Sequence, residues 1–317
     1  MIRLLAVAAL LAASPAVAAP PPVELTAPGP QGSLAGTLLD PDPTAPLVLI
    51  IPGSGPTDRD GNNPAGVAGG PYRQLAEALA AKGIATLRID KRGLFGSRAA
   101  VADPNAATTA GYADDVQAWS KVARAKTGRK CIWLLGHSEG GLVALVAAQQ
   151  PEGLCGIILL RAVGRPMATV LREQLKANPF NAPILAPALS AIDALEAGKR
   201  VPAATLPAPL QPLFADKLQG YWIDLMAHDP AKLIANVKLP VLILQGTRDI
   251  QVSVADAETL KVAQPRATLA LLPGVNHVLR PVASDDRMAN VATYADAKLP
   301  ISPDVATAVA EFVKPAT

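Results

Sequence analysis

The sequence predicts an α/β fold, a mostly parallel sheet with helices on both faces and a helical cap inserted into it. Three observations predict it. Short apolar runs alternate along the chain with stretches that repeat apolar residues every three to four positions. The runs are apolar almost throughout, as in strands buried on both faces rather than on one. One stretch, 165–238, carries helical stripes and no strand-like run. With 317 residues, half of them hydrophobic and 17% charged, the chain can bury a sizeable core, which excludes wholesale disorder.

The elements read as follows. Residues 33–39 form a strand, and 47–51 form a short one bounded by Pro46 and Pro52. Tyr72, Leu75 and Leu79 stripe a helix that stops at Gly83, a C-terminal glycine signal. A strand at 84–89 follows, then a helix marked by Tyr112, Val116, Trp119 and Ala123 that closes near Gly128. Strand 132–136, helix 139–149 and strand 156–161 continue the alternation. After the insertion come strand 240–245, helix 253–263 and strand 267–272, and a last helix sets Val305, Val309, Phe312 and Val313 on one face. Within the insertion Phe214, Leu218, Tyr221 and Leu225 form a stripe, and Pro202, Pro207, Pro209 and Pro212 cut the region into short helices. The chain thus divides into a core of 19–164 and 239–317 and a cap of 165–238, with extra packing on a sheet edge as the other reading of that stretch.

Residues 1–18 read as a secretory signal peptide. Arg3 is the only charge before Glu24, residues 4–13 are an apolar run, and Ala16-Val17-Ala18 has the small-residue pattern of a cleavage site. The run is well short of the ~20 residues that a spanning helix needs, and no later run approaches that length. The expectation is an exported protein, periplasmic or secreted, with no membrane span in the mature chain. Export bears on Cys131 and Cys155, each just ahead of a predicted strand. If those strands are parallel neighbours, the two sulfurs lie at one sheet end and can pair in an oxidising compartment; two buried free thiols are the alternative. The two cysteines and three histidines have no metal-site spacing. A net charge of +3, without a basic stripe and with only 3% aromatic residues, argues against a nucleic-acid partner.

The chemistry concentrates at Gly136-His137-Ser138-Glu139-Gly140, a G-x-S-x-G pattern that follows a predicted strand and opens a predicted helix. So sharp a turn lifts the serine hydroxyl above the sheet, and the helix N-terminus puts partial positive charge beside it. A serine needs a base and an orienting acid, and on such a scaffold they follow in the order acid, then histidine, on loops after later strands. Asp249 and His277 occupy those places, and His277 is the only histidine after Asp249. Asp256 is the second choice of acid. Acyl transfer also needs donors for an oxyanion, expected from the backbone N–H of Glu139 and that of Ser54 in the loop Pro52-Gly53-Ser54-Gly55-Pro56.

With those residues in place, the chain from about residue 46 to its end resembles the α/β-hydrolases. More narrowly, PGSGPTDRDGN (52–62), RIDKRGLFGS (88–97) and GTRDIQV (246–252) resemble bacterial carboxylesterases of the serine-aminopeptidase-like branch. Where the family commonly has His-Gly before the oxyanion residue, this chain has Pro52-Gly53. The resemblance implies hydrolysis of small acyl esters beneath a helical cap. It also implies that Asp58, Arg59, Asp60, Asp90, Lys91 and Arg92 brace the loops around the site. His137 and His228 read as local structural groups.

The expected function is that of an exported serine hydrolase cleaving short- to medium-chain carboxylic esters through Ser138, His277 and Asp249. No metal or organic cofactor enters the scheme, and the partner is a small-molecule ester; the pattern specifies no oligomeric state. Phe214, Tyr221 and Trp222 of the cap are expected to line an acyl pocket. An aminopeptidase or amidase with the same triad, an acyltransferase or thioesterase, and a non-catalytic hydrolase-fold binding protein remain as rivals. Haloalkane dehalogenases and epoxide hydrolases would need a carboxylate at position 138.

Overall fold

The computed structural model describes residues 21–314, so the signal-peptide reading of 1–18 lies outside the described residues. Eight strands form one sheet: β1 (Val23–Pro28), β2 (Ser33–Leu39), β3 (Leu47–Ile51), β4 (Ala85–Ile89), β5 (Ile132–His137), β6 (Leu154–Leu160), β7 (Val241–Gly246) and β8 (Thr268–Leu272). Their order is β1-β2-β4-β3-β5-β6-β7-β8, with β2 antiparallel to both neighbours and all strands from β4 to β8 parallel. Ten α-helices accompany them among the described residues: α1 (Pro71–Ala80), α2 (Thr109–Thr127), α3 (Glu139–Ala147), α4 (Met167–Ala177), α5 (Leu185–Glu196), α6 (Gln219–Met226), α7 (Pro230–Ala235), α8 (Val254–Ala263), α9 (Arg287–Ala295) and α10 (Pro303–Val313).

Side chains alternate across a strand, and here the two faces feed two cores. Leu47, Leu49 and Ile51 of β3, with Leu134, Ile157 and Leu159, pack beneath Val116, Trp119, Val143 and Ala144 of α2 and α3. Val48, Ile50, Leu135, Ile158 and Leu160 face the other way, onto Leu75 and Leu79 of α1 and Val305 and Val309 of α10. This is why the central strands read as continuous apolar runs. Helix ends obey local chemistry as well. The Thr108 hydroxyl accepts from the Gly111 N–H at the start of α2, and Gly128 closes that helix at φ 73°.

Register sets the functional edge. Ile51 lies opposite Gly136, His137 opposite Leu160, and Leu160 opposite Leu244, so neighbours among β3, β5, β6 and β7 end within two residues of one another. Their following loops therefore emerge together. At the opposite end of the sheet Cys131, just ahead of β5, is disulfide-bonded to Cys155 of β6, with Cα atoms 5.2 Å apart.

Between β6 and β7 the chain is helical, α4 to α7 with short 3-10 turns between them. α4, α5 and α6, with the turns between them, enclose a core of their own around Phe214, with Leu171, Ile192, Leu195, Leu210 and Met226, whereas Ile234 of α7 joins the core beneath α2 and α3. Two polar ties join α6 to the sheet unit: Asp224 accepts from the Thr109 N–H and hydroxyl at 2.7 Å each, and the Tyr221 hydroxyl donates to Glu139. Two elements lay outside the periodic pattern of the sequence. β1 is an edge strand with mostly exposed side chains, and α9 falls in a stretch (278–302) of mixed polarity.

Candidate active site

Ser138 stands at the junction of β5 and α3 with φ 55° and ψ −121°. That conformation is costly for a residue with a side chain and persists only where its surroundings enforce it. The enforcement is close packing of backbone. A Cβ on Gly140 would approach the Ile51 carbonyl and lie 2.7 Å from that of Pro52, and one on Gly136 would meet the backbone of Gly140. The glycines at both ends of the motif are thus required by contact across the turn, and the serine is left half-buried on the wall of a cavity.

Asp249 and His277 meet at the same edge. Asp249 follows β7 with its side chain fully buried; its Oδ2 lies 2.8 Å from His277 Nδ1, while Oδ1 accepts the N–H groups of Gln251 (2.8 Å) and Val252 (2.9 Å). A carboxylate only accepts, so Nδ1 carries the proton and Nε2 is left as the basic nitrogen. Burial by itself pushes the Asp249 carboxyl up, but His277, the Arg161 guanidinium at 3.8 Å and the Val252 N–H together hold it below the usual carboxylate value. Arg161 is wholly buried, and burial brings its guanidinium down to about 10. Asp256, the second choice of acid, instead caps α8 and pairs with Arg165 at 2.8 Å.

His137 completes a hydrogen-bonded chain behind the serine. Its Nε2 lies 2.9 Å from the His277 carbonyl, which can only accept, so Nε2 carries the proton. Nδ1 then accepts from the Tyr72 hydroxyl at 2.7 Å, and the Tyr72 oxygen accepts the Gly53 N–H at 3.3 Å. Burial, with His277 facing it, holds the His137 imidazole well below its ordinary pKa, so the chain rests on a neutral ring. Tyr72 had read as a core residue of a helical stripe; the need of a buried tyrosine hydroxyl for a partner was the signal of more.

The charges of 58–60 and 90–92 do brace the loops. Asp90 accepts from the backbone N–H groups of Arg59 (2.9 Å) and Gly96 (3.1 Å) and pairs with the Arg59 guanidinium at 2.8 Å. Asp58 accepts from the N–H groups of Asp60 and Asn62, Asp60 pairs with Arg88, and Arg92 pairs with Asp115 at 2.6 Å. Lys91 donates to the Gly53 carbonyl at 2.7 Å. The backbone N–H groups of Ser54 and Glu139 have no acceptor among the described residues.

A cavity of about 260 Å³ brings Ser138, His277, Gly53 and Ser54 together. Its other walls are Thr57, Asn63, Val67 and Tyr72 from the loop after β3 and the start of α1, Val278 and Leu279 after the histidine, Gln251, and Tyr294 of α9. Among the described residues no Asp, Glu, Lys or Arg side chain lines it. The cap aromatics expected there are elsewhere. Phe214 is fully buried in the core of the helical insertion, Trp222 packs on that core and donates to the Leu213 carbonyl, and Tyr221 turns to Glu139. The physical reason is that α4 to α6 need a core of their own, and their large apolar groups fill it. Most of the wall residues come from loops, whose paths leave no periodic mark in a sequence.

Residues 66–208 match a protein family described as serine aminopeptidase, S33. Esterase EstD of Thermotoga maritima is 27% identical over 245 residues, covering 74% of this chain and 54% of the relative, so the chain spans about half the length of that curated protein. The Pyrococcus furiosus esterase Pf2001 superposes with a TM-score of 0.58 at 17% identity, covering 92% of this chain and 90% of that one. Est1E from Butyrivibrio proteoclasticus does so with a TM-score of 0.56 at 18% identity, covering 91% and 96%. The fold shared with these structures is the α/β-hydrolase fold.

Proposed function

We propose that this α/β-hydrolase-fold chain is an exported serine hydrolase that cleaves carboxylic esters of short to medium chain length. The observation that carries the reading is the buried Asp249 carboxylate 2.8 Å from His277 Nδ1, on a cavity that His277 shares with Ser138. Ser138 Oγ attacks the acyl carbonyl as His277 Nε2 takes its proton. Asp249 holds the tautomer and stabilises the imidazolium. The N–H groups of Ser54 and Glu139 receive the oxyanion, His277 protonates the leaving alcohol, and water releases the acyl group by the reverse path.

The uncharged cavity supports a neutral ester over a peptide anchored by its amine, and its size, at the low end for ligand pockets, favours short acyl groups. The name of the matched family keeps an aminopeptidase as the second reading. Export draws support from the N-terminal pattern and from the Cys131–Cys155 bond, the chemistry of an oxidising compartment.

Turnover of p-nitrophenyl esters of increasing chain length, beside an aminoacyl anilide, tests the reading. Acetate and butyrate esters should react fastest, and a fluorophosphonate should label wild type but not Ser138→Ala. Asp249→Asn should lower kcat by about 10⁴ with the fold intact. Rapid anilide cleavage with negligible ester cleavage would reverse the ranking, and labelling of Ser138→Ala would refute the site.

A further inference from the structure

Lys91 lies outside the cavity but hydrogen-bonds to the backbone of Gly53 in its wall, and the hydrolytic scheme gives it no task. Its side chain is 6% exposed, two residues past the end of β4. Nζ lies 2.7 Å from the Gly53 carbonyl, 3.8 Å from Glu139 Oε1, and 5.5 Å from the centre of the Tyr112 ring. The two partners of this cation, a backbone carbonyl and a side-chain carboxylate, therefore belong to the two peptides expected to flank the oxyanion: the Gly53 carbonyl shares its amide plane with the Ser54 N–H, and Glu139 carries the other N–H. Within a trans amide the C=O and N–H point in opposite directions. With the oxygen held by Lys91 beneath the site, the Ser54 N–H is turned away from Lys91, and it has no acceptor among the described residues. An ammonium on a carbonyl also polarises the amide and strengthens its N–H as a donor.

Glu139 is held from the far side. The Tyr221 hydroxyl of α6 donates to Glu139 Oε2, while Oε1 faces Lys91 without a hydrogen bond. The half-buried Tyr221, the buried Glu139 and Lys91, and the Gly53–Ser54 peptide form one line from the helical insertion to the reaction centre.

We propose that Lys91 is a positioning residue of the oxyanion site, fixing and polarising the Gly53–Ser54 peptide, and that Glu139 and Tyr221 tie this device to the helical insertion. The inference rests on the hydrolase reading, since it assigns Ser54 N–H a role in that reaction. It concerns an interaction that matters more to a charged tetrahedral species than to bound ester, so its mark is a fall in kcat rather than a rise in KM.

Lys91→Met and the milder Lys91→Gln, which keeps a neutral donor, are compared with wild type on p-nitrophenyl acetate and against a phenylboronic acid, whose serine adduct is a tetrahedral anion. In Lys91→Met, kcat should fall about 10- to 100-fold with KM within about threefold, less than loss of the donor itself. Across the series the boronate Ki should rise in proportion to the fall in kcat/KM, with Lys91→Gln in between. In protein carrying 15N-serine, the Ser54 amide proton should move upfield in both variants, a readout independent of ester turnover. It separates failure of this inference from failure of the hydrolase reading, which wild-type turnover reports. Wild-type kcat in a folded variant, a fall in kcat with unaltered boronate affinity, or an unmoved Ser54 amide signal would each overturn the proposal.

Discussion

Replacing Cys131 and Cys155 together by serine should weaken the fold without touching catalysis. The bond closes a segment of 24 residues between the starts of β5 and β6, containing all of α3. Chain-entropy treatment of a loop that size gives about 3 kcal/mol of stabilisation, nearly all through restriction of the unfolded chain. For a protein of this length the unfolding entropy is about 0.6 kcal/mol per degree, so the midpoint of melting should drop by about 5 °C. The activity argument is geometric. Ser138 follows the last residue of the six-residue β5 and Cys131 precedes its first, which separates them by about 20 Å along the strand. Calorimetric melts of wild type and the double variant, each with and without a reductant, provide the assay, with ester turnover at 25 °C alongside. Reductant should lower the wild-type midpoint to that of the variant and leave the variant unmoved. A wild-type midpoint insensitive to reduction, or a variant that loses more than half its kcat at 25 °C, would refute the reasoning.

Other perturbations have equally definite outcomes. Gly140→Ala forces a methyl against the Ile51 and Pro52 carbonyls, which cannot withdraw without breaking the sheet edge; soluble expression and labelling should both collapse. Tyr72→Phe strands the buried Gly53 N–H and His137 Nδ1, and urea unfolding should register a loss of about 1–3 kcal/mol. His137 supplies a pH dependence. Its folded pKa is below the unfolded value of about 6.5, so its contribution is fully present above that pH and is lost as pH falls toward the folded value. Unfolding free energy should therefore decline below about pH 6.5, with this residue adding at most about 1.4 kcal/mol per pH unit, and His137→Gln should flatten the decline. An equal slope in the variant would refute it.

What could be read in advance follows from how local each signal is. The central strands were legible because burial on both faces writes a continuous apolar run, and the Ser138 turn because contact across it leaves no room for side chains at Gly136 and Gly140. The Asp249–His277 pairing was legible only through chain order on a known kind of scaffold. The cavity wall was not. Asn63, Val67 and Tyr294 reach it through loop paths and the placement of α9, and an apolar stripe such as that of Phe214 looks the same whether it fills a pocket or an insertion's own core. The Lys91 contacts were equally hidden, since they depend on where the strand ends of β3 and β4 stand relative to α3.

Ser138 springs from the middle of the sheet, whereas His277 hangs from the turn after β8, an edge strand, where Leu271 is 41% exposed and β7 is the neighbour on one side. Opening an edge costs less free energy than unfolding the whole. On the proposed reaction, warming would then silence the molecule by detaching His277 while most of the scaffold is still standing. Heat inactivation and melting become separate events, and the gap between them measures how firmly a single border strand is sewn on.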